Sequence, residues 1–341
     1  GAVQEVIHNV ITNSVGKVPF WFRLVNILLH WGGSVWLFEL MTVLTTSSLA
    51  LAIAVIFAVH PLATEAVTWI SGMPYTLYAF GCFLSLFLFI RNRGGKEKIV
   101  GLIAYSAIIL DSQLAVAFPL VLAYFLLINK QFRLRFKEWF AYLTVASVKI
   151  MWQLGQLGER ITAVQASTGQ PFRVIDPLRQ VPVAIANYLS LTFWPQALTL
   201  YHTELSFSHG AYLATLGVTL GILILTIYLI KKAPVVSFGS GLFVISLLPA
   251  LTPFGVSWIV AERYAYFSFS GIIIACVLLA DKLLVRAPKW LKVGLLALVI
   301  LLLGARTVMR NADWKNQDSL WVATAKYSPS SAQNHNNLGD M

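Results

Sequence analysis

Ten apolar runs separated by short polar connections dominate the chain between residues 22 and 309. They lie near 22–44, 48–60, 73–90, 99–110, 114–129, 136–154, 211–230, 236–252, 264–281 and 290–309. No soluble core of 341 residues needs so many. At 58% hydrophobic against 11% charged, the composition matches a polytopic helical membrane protein. The runs are continuous rather than alternating with a period of two, which argues against a β-barrel. Both cysteines, Cys82 and Cys276, fall inside apolar runs, so neither a disulfide framework nor a metal site can be built on them. The expected fold is all-α with about ten transmembrane helices.

A net charge of +11 would ordinarily raise nucleic acid as a partner. The placement of the cations excludes it. Four connections, Arg91–Lys98, Lys130–Lys137, Lys231–Lys232 and Lys282–Lys292, carry fourteen of the 25 Lys and Arg residues. If all four face the cytoplasm, the positive-inside rule is obeyed and the spans alternate correctly. This pattern requires a tight hairpin at Asp111-Ser112-Gln113, since a single helix over 99–128 would put two basic loops on opposite sides. It also requires that Pro182–Trp194 not cross, so that segment is read as an interfacial or re-entrant helix within the long connection from Gly155 to Gly210.

The same map gathers most polar residues on the non-cytoplasmic side: His60, Glu65, Asp111, Glu159, Arg160, Arg173, Asp176, Arg179, His202, Glu204, His209, Glu262 and Arg263. Placing ionisable groups at the mouth of a span costs free energy, so His60 and Glu65 in His60-Pro61-Leu62-Ala63-Thr64-Glu65 are functional candidates by default. A chain that starts outside at Gly1, without an initiator Met, predicts a preceding span and a piece of a longer protein.

From Asn311 the chain turns polar. Trp321 and Ala325 stand at helical spacing, Ser328-Pro329 is a helix stop, and Ala332 through Asn337-Leu338-Gly339 opens another helix. That order describes the start of a tetratricopeptide repeat, an array that presents a concave surface to extended peptides. Two regions are expected: residues 1–310 in the membrane and residues 311–341 as the start of a repeat region.

Three blocks carry a family resemblance: Phe22-Arg23-Leu24-Val25-Asn26-Ile27-Leu28-Leu29-His30, His60-Pro61-x-x-Thr64-Glu65-Ala66-Val67-x-Trp69, and Ala261-Glu262-Arg263-Tyr264-x-Tyr266. In this order, followed by the repeat start, they resemble the transmembrane and tetratricopeptide-repeat O-mannosyltransferases and their prokaryotic relatives, which are GT-C membrane glycosyltransferases. The resemblance implies transfer of mannose or a similar hexose from a polyprenyl-phosphate carrier to Ser or Thr hydroxyls of proteins outside the cytoplasm. Such an inverting transfer needs a carboxylate to deprotonate the hydroxyl, cations or a divalent metal (Mg or Mn) at the leaving phosphate, and a groove for the lipid.

By the same resemblance Glu65 is a candidate for that carboxylate or for orienting the acceptor. His60 is its neighbour or a phosphate donor, and Asp111 is a further acid. Arg263 suits bidentate phosphate binding. Glu262 would orient Arg263 or the sugar, with Tyr264 and Tyr266 beside it. The expected partners are the lipid-linked sugar, membrane lipids and an acceptor protein held by the repeat region.

The competing expectation is a catalytically inactive, membrane-anchored repeat scaffold for protein–protein interaction. A transporter is weakly supported, because no paired halves with matching interrupted helices are visible. Three further polar features have ordinary explanations. His30, one turn from Asn26, reads as an interhelical hydrogen bond. His202 and His209 with Glu204 fit no strong metal spacing. Asp176-Pro177 reads as a helix start.

Overall fold

The computed structural model describes residues 1–91, 93–156, 158, 159, 162, 176–251 and 259–340. Arg160 and Arg173 lie outside the described residues. All regular structure among the described residues is helical. In chain order the α-helices are α1 Ala2–Val15, α2 Pro19–Leu44, α3 Ser47–Val59, α4 Thr64–Thr68, α5 Met73–Arg91, α6 Gly95–Asp111, α7 Phe118–Ile128 and α8 Phe136–Gly155. They continue with α9 Pro177–Phe193, α10 His209–Lys232, α11 Pro234–Leu247, α12 Glu262–Ala265, α13 Phe269–Leu283, α14 Lys289–Asp313, α15 Gln317–Tyr327 and α16 Ala332–Gly339.

Each expected apolar run is occupied by a helix, because a chain in hydrocarbon must satisfy its backbone polar groups internally. Fewer of these helices than expected are long and apolar enough to cross a membrane. Four qualify among the described residues: α2, residues Ile70–Arg91 around α5, α10 and α14. A fifth is α3 joined to Pro61–Thr68, bent by 52° at His60-Pro61. The shortfall is one of length: α3, α6, α7, α11 and α13 have 13, 17, 11, 14 and 15 residues. Proline lacks the N–H that continues a helix, and Pro119 starts α7 inside the expected run 114–129, while Pro61 and Pro234 stand between runs. The hairpin at Asp111-Ser112 is present: α6 stops at Asp111 and a 3₁₀ segment starts at Gln113.

Aromatic and aliphatic side chains of α3, α5, α7, α11 and α13 form the central core, with Phe57, Phe83, Phe118, Phe243 and Phe269 wholly enclosed. Helices α11 and α13 touch backbone to backbone. A Cβ on Gly239 would lie 2.7 Å from the Gly271 carbonyl oxygen, and one on Gly271 would collide with the Gly239 carbonyl. Small residues at such crossings let helices approach where hydrophobic collapse gives no drive. By contrast α14 has no buried residue in its most apolar window, so its sides are left for lipid.

This packing separates two ends. The basic connections lie where α5, α7, α10 and α13 finish. The opposite end collects the ends of α3 and α14, the short helices α4 and α12, and α9. Helix α9 begins at Asp176, whose carboxylate caps Leu178 N–H at 3.0 Å. Both ends of α9 belong to this second face. The Tyr212 hydroxyl donates to Leu178 O near its start, and His60 bonds Thr192 O near its finish. Between these ends α9 packs along α10, where the Thr219 hydroxyl donates to Pro182 O at 3.3 Å.

Helix α14 runs unbroken three residues beyond residue 310. Beyond it, α15 and α16 fold against each other around Ser328-Pro329. Asn316 and Ser319 form a capping box at the start of α15. Leu200, Tyr201, Trp314 and Leu320 make a small second core that fixes this pair to the segment after α9. Ser328 bonds the Tyr201 carbonyl and the Thr199 hydroxyl, and Tyr201 stacks on Trp321.

Candidate active site

Two short helices from distant parts of the sequence meet at this face. Pro61 ends α3 and starts a 3₁₀ turn that leads into α4, which turns Glu65 inward. Helix α12 begins at Glu262, so its first backbone N–H groups have no partners within the helix. Glu65 satisfies one of them: its Oε2 accepts from Arg263 N–H at 2.9 Å, and its Oε1 accepts from the Arg263 guanidinium. Glu65 is fully buried at 0% and Arg263 is 9% exposed. A charged pair this deep is costly to desolvate and persists only with added hydrogen bonds, which the backbone N–H supplies here.

Three half-buried aromatic rings surround the guanidinium. Its carbon lies 5.5 Å from the Trp69 ring centre and 5.0 Å from that of Tyr264, and Tyr75 packs 6.2 Å from Tyr264. Arg263 thus keeps donors beyond those bound to Glu65, in a setting that strengthens any contact with an anion.

The neighbouring Glu262 faces the other way and is also fully buried. Its two oxygens accept from Arg310 Nη2 at 3.2 and 3.4 Å. Arg310, at 0% exposure, also reaches Asp313 Oδ2 at 3.2 Å. His202, from the segment after α9, brings Nε2 to 3.7 Å from Glu262 Oε1. Arg310 and His202 were not among the sequence candidates. Arg306 and Arg310 stand in the last two turns of α14, apart from the four basic connections, which is the signal the sequence carried for them. Arg306 is used structurally, donating to the carbonyls of Pro195 and Gln196.

The remaining candidates occupy different positions. His60 is buried, with Nε2 donating to Thr192 O at 3.0 Å and Nδ1 accepting from Leu62 N–H at 3.2 Å, so both ring nitrogens are engaged. Asp111 sits away from the Glu65 pair and caps α1 across the fold, accepting from Val3 and Gln4 N–H at 2.8 and 2.6 Å. The Tyr266 hydroxyl pairs with His30 Nδ1, and His30 Nε2 faces Ala58 O at 3.0 Å, an interhelical bond of the kind expected for His30. Glu204 bonds Ser330 through both its hydroxyl and its backbone N–H, contacts that hold its carboxyl below the usual range. Among the described residues no three His, Cys, Asp or Glu side chains are grouped so as to hold a metal ion.

The chain is similar to proteins named as protein O-mannosyl-transferases. One from Caenorhabditis elegans is 24% identical over 338 residues, covering 94% of this chain and 47% of that protein. One from Mus musculus is 34% identical over 113 residues, or 32% of this chain and 15% of the mouse protein. One from Xenopus laevis is 31% identical over 112 residues, or 31% of this chain and 13% of the frog protein. The chain spans about half the length of the nematode relative. No protein-family model matches it, and no solved structure matches it significantly. The apolar helices and these relatives together mark a membrane protein similar to glycosyltransferases.

Proposed function

We propose that this chain forms the membrane-embedded catalytic part of a GT-C-type protein O-glycosyltransferase. It takes mannose or a similar hexose from a polyprenyl-phosphate carrier and places it on Ser or Thr hydroxyls on the non-cytoplasmic side. The observation that carries the reading is the buried Glu65–Arg263 pair. It joins two of the three blocks that resemble the O-mannosyltransferases, 198 positions apart in sequence. A guanidinium held by a carboxylate on one side and ringed by Trp69, Tyr75 and Tyr264 on the other is suited to a phosphate bearing a sugar.

In this reading Arg263 holds the donor phosphate and stabilises the charge that grows on it as the glycosyl bond breaks. Glu65 positions Arg263 through both its oxygens. The half-buried aromatics offer faces to the sugar or to the first isoprene units. Docked against the same face, α15 and α16 begin the surface that receives the acceptor protein. The four basic connections set the orientation, with the site opposite the cytoplasm.

The test is transfer by the purified protein from labelled mannosyl-phosphoryl-polyprenol to a Ser/Thr-rich peptide. The expected result is labelled peptide with wild type and none with Arg263→Ala. Absence of both transfer and donor hydrolysis with a panel of lipid-linked hexoses would overturn the assignment.

A further inference from the structure

We infer that a groove between α6 and α8, at the basic end of the bundle, binds an anionic phospholipid. One acyl chain lies in the groove, and the phosphate sits on Lys96 and Lys137. The site is separate from the Glu65–Arg263 pair and does not depend on the transferase reading.

The groove follows from how three helices start and stop. Helix α5 finishes at Arg91, while α6 and α8 begin at basic connections, at Gly95 and Phe136. Ser85 on α5 ties the three together, donating to Gly101 O at 2.9 Å and to the Tyr142 hydroxyl at 3.3 Å. Nearer the starts of α6 and α8 a groove of about 120 Å³ is left. Phe89 and Tyr142, both buried, form its floor. Ile99 and Leu102 line one wall and Ala141 the other. It runs about one helical turn inward from the Lys98–Glu138 ion pair.

Apart from that pair the lining is apolar, so the groove selects hydrocarbon. It is too small for a whole drug-sized ligand, whose pockets run to about 300–1,000 Å³, and has the size for a length of chain. Ile99, Ile103 and Phe140 beside it are exposed, which makes the surrounding surface one that meets acyl chains rather than water.

Charge decides the headgroup. Arg91 is answered by Glu97 at 3.6 Å, and Lys98 and Arg135 share Glu138. Arg93, Lys96, Arg133 and Lys137, in the same two connections, are exposed and have no carboxylate partner among the described residues. Lys96 precedes Ile99 by three residues and Lys137 precedes Ala141 by four, so each lysine stands one turn outside a wall residue on the same helical face. Two ammonium groups thus flank the outer end of an apolar slot, which is the polarity of a lipid with a negative head. Basic pockets between membrane helices recognise such heads, whereas the choline of a zwitterionic lipid sets its own cation against the lysines.

The test titrates the intact natural protein, delipidated in neutral detergent, with phosphatidylglycerol and with phosphatidylcholine, and counts bound lipids by native mass spectrometry. One phosphatidylglycerol is expected to bind more tightly than the rest and more tightly than phosphatidylcholine. Lys96→Gln with Lys137→Gln should weaken that molecule about 30-fold, the scale of two lysine contacts with an anionic headgroup, and leave phosphatidylcholine binding unchanged. Ala141→Phe fills the groove with every cation intact and should weaken phosphatidylglycerol as well. Leu102→Phe, from the opposite wall, serves in its place if Ala141→Phe does not fold. Lys231→Gln with Lys232→Gln removes two exposed lysines from another basic connection and should change neither lipid. Equal affinity for the two lipids would overturn the site. So would a loss in the Lys231, Lys232 variant that matches the loss in the Lys96, Lys137 variant, or no loss in either. Unchanged phosphatidylglycerol affinity in a folded groove-filled variant would overturn the groove as the seat of the chain. Displacement of the lipid by an equal concentration of glycerol 1-phosphate would reveal a bare phosphate site and overturn the assignment to lipid.

Discussion

The two ends of the helical bundle both carry ion pairs, and they carry them differently. At the basic end Glu138 accepts from Lys98 and Arg135, with side-chain exposures of 41% for Lys98 and 22% for Glu138. Arg135, itself 7% exposed, lies over the Phe89 ring and donates to the Phe89 carbonyl, so the open member of the group is Lys98. At the opposite end Glu65, Glu262 and Arg310 are wholly buried. Wet pairs form at little cost and contribute little. Dry pairs are expensive to assemble and expensive to break. The proposed transferase site therefore lies at the end whose pairs cost most to bury.

The sharpest way to break this contrast is to remove one partner of a dry pair. Arg310→Met leaves Glu262 buried without its cation and should cost about 3–5 kcal/mol, read as a fall in the unfolding midpoint of the purified protein. Glu262→Gln combined with Arg310→Met should recover most of that loss, because the charge left without its cation, Asp313, is 30% exposed rather than buried. A single variant as stable as wild type would mean that the pair is wet after all. At the basic end, Lys98→Ala should cost at most about 1 kcal/mol in the same melt, and added salt should shrink the difference further.

The smallest effect concerns the junction between the membrane helices and the tail. Ser330 holds the Glu204 carboxyl below its usual range through two hydrogen bonds. A depressed carboxylate stabilises the docked state at pH above its unfolded value, and that contribution disappears as pH falls through the folded value. Hydrogen exchange in residues 317–339 should therefore be protected at neutral pH and rise in acid, below the ordinary carboxylate range. Glu204→Gln should show no such acid-dependent step.

The helices could be read from the sequence because long apolar runs report apolar burial directly. The crossing lengths could not. Pro119 starts a helix inside the run at 114–129, a break that hydropathy does not show. Glu65 and Arg263 emerged singly from the cost of charge near a membrane and from the family resemblance. Their pairing depends on contacts between segments far apart in sequence, which no spacing rule reports. Asp111 looked like a free acid at a hairpin because a cap supplied to a different helix leaves no local pattern. His202 was weighed only with His209 and Glu204, where it has no strong spacing, because its approach to Glu262 comes from across the fold.

The central claim is that the dry Glu65–Arg263 pair exists to hold a phosphate. The direct measurement is equilibrium binding of mannosyl-phosphoryl-polyprenol to wild type and to the Glu65→Gln, Arg263→Gln double variant, which removes both charges and so leaves no member of the pair buried and unpaired. The prediction is a melting profile close to wild type with donor affinity reduced by at least about 100-fold, the scale of losing a buried charge contact. Wild-type donor affinity in a folded double variant would contradict it.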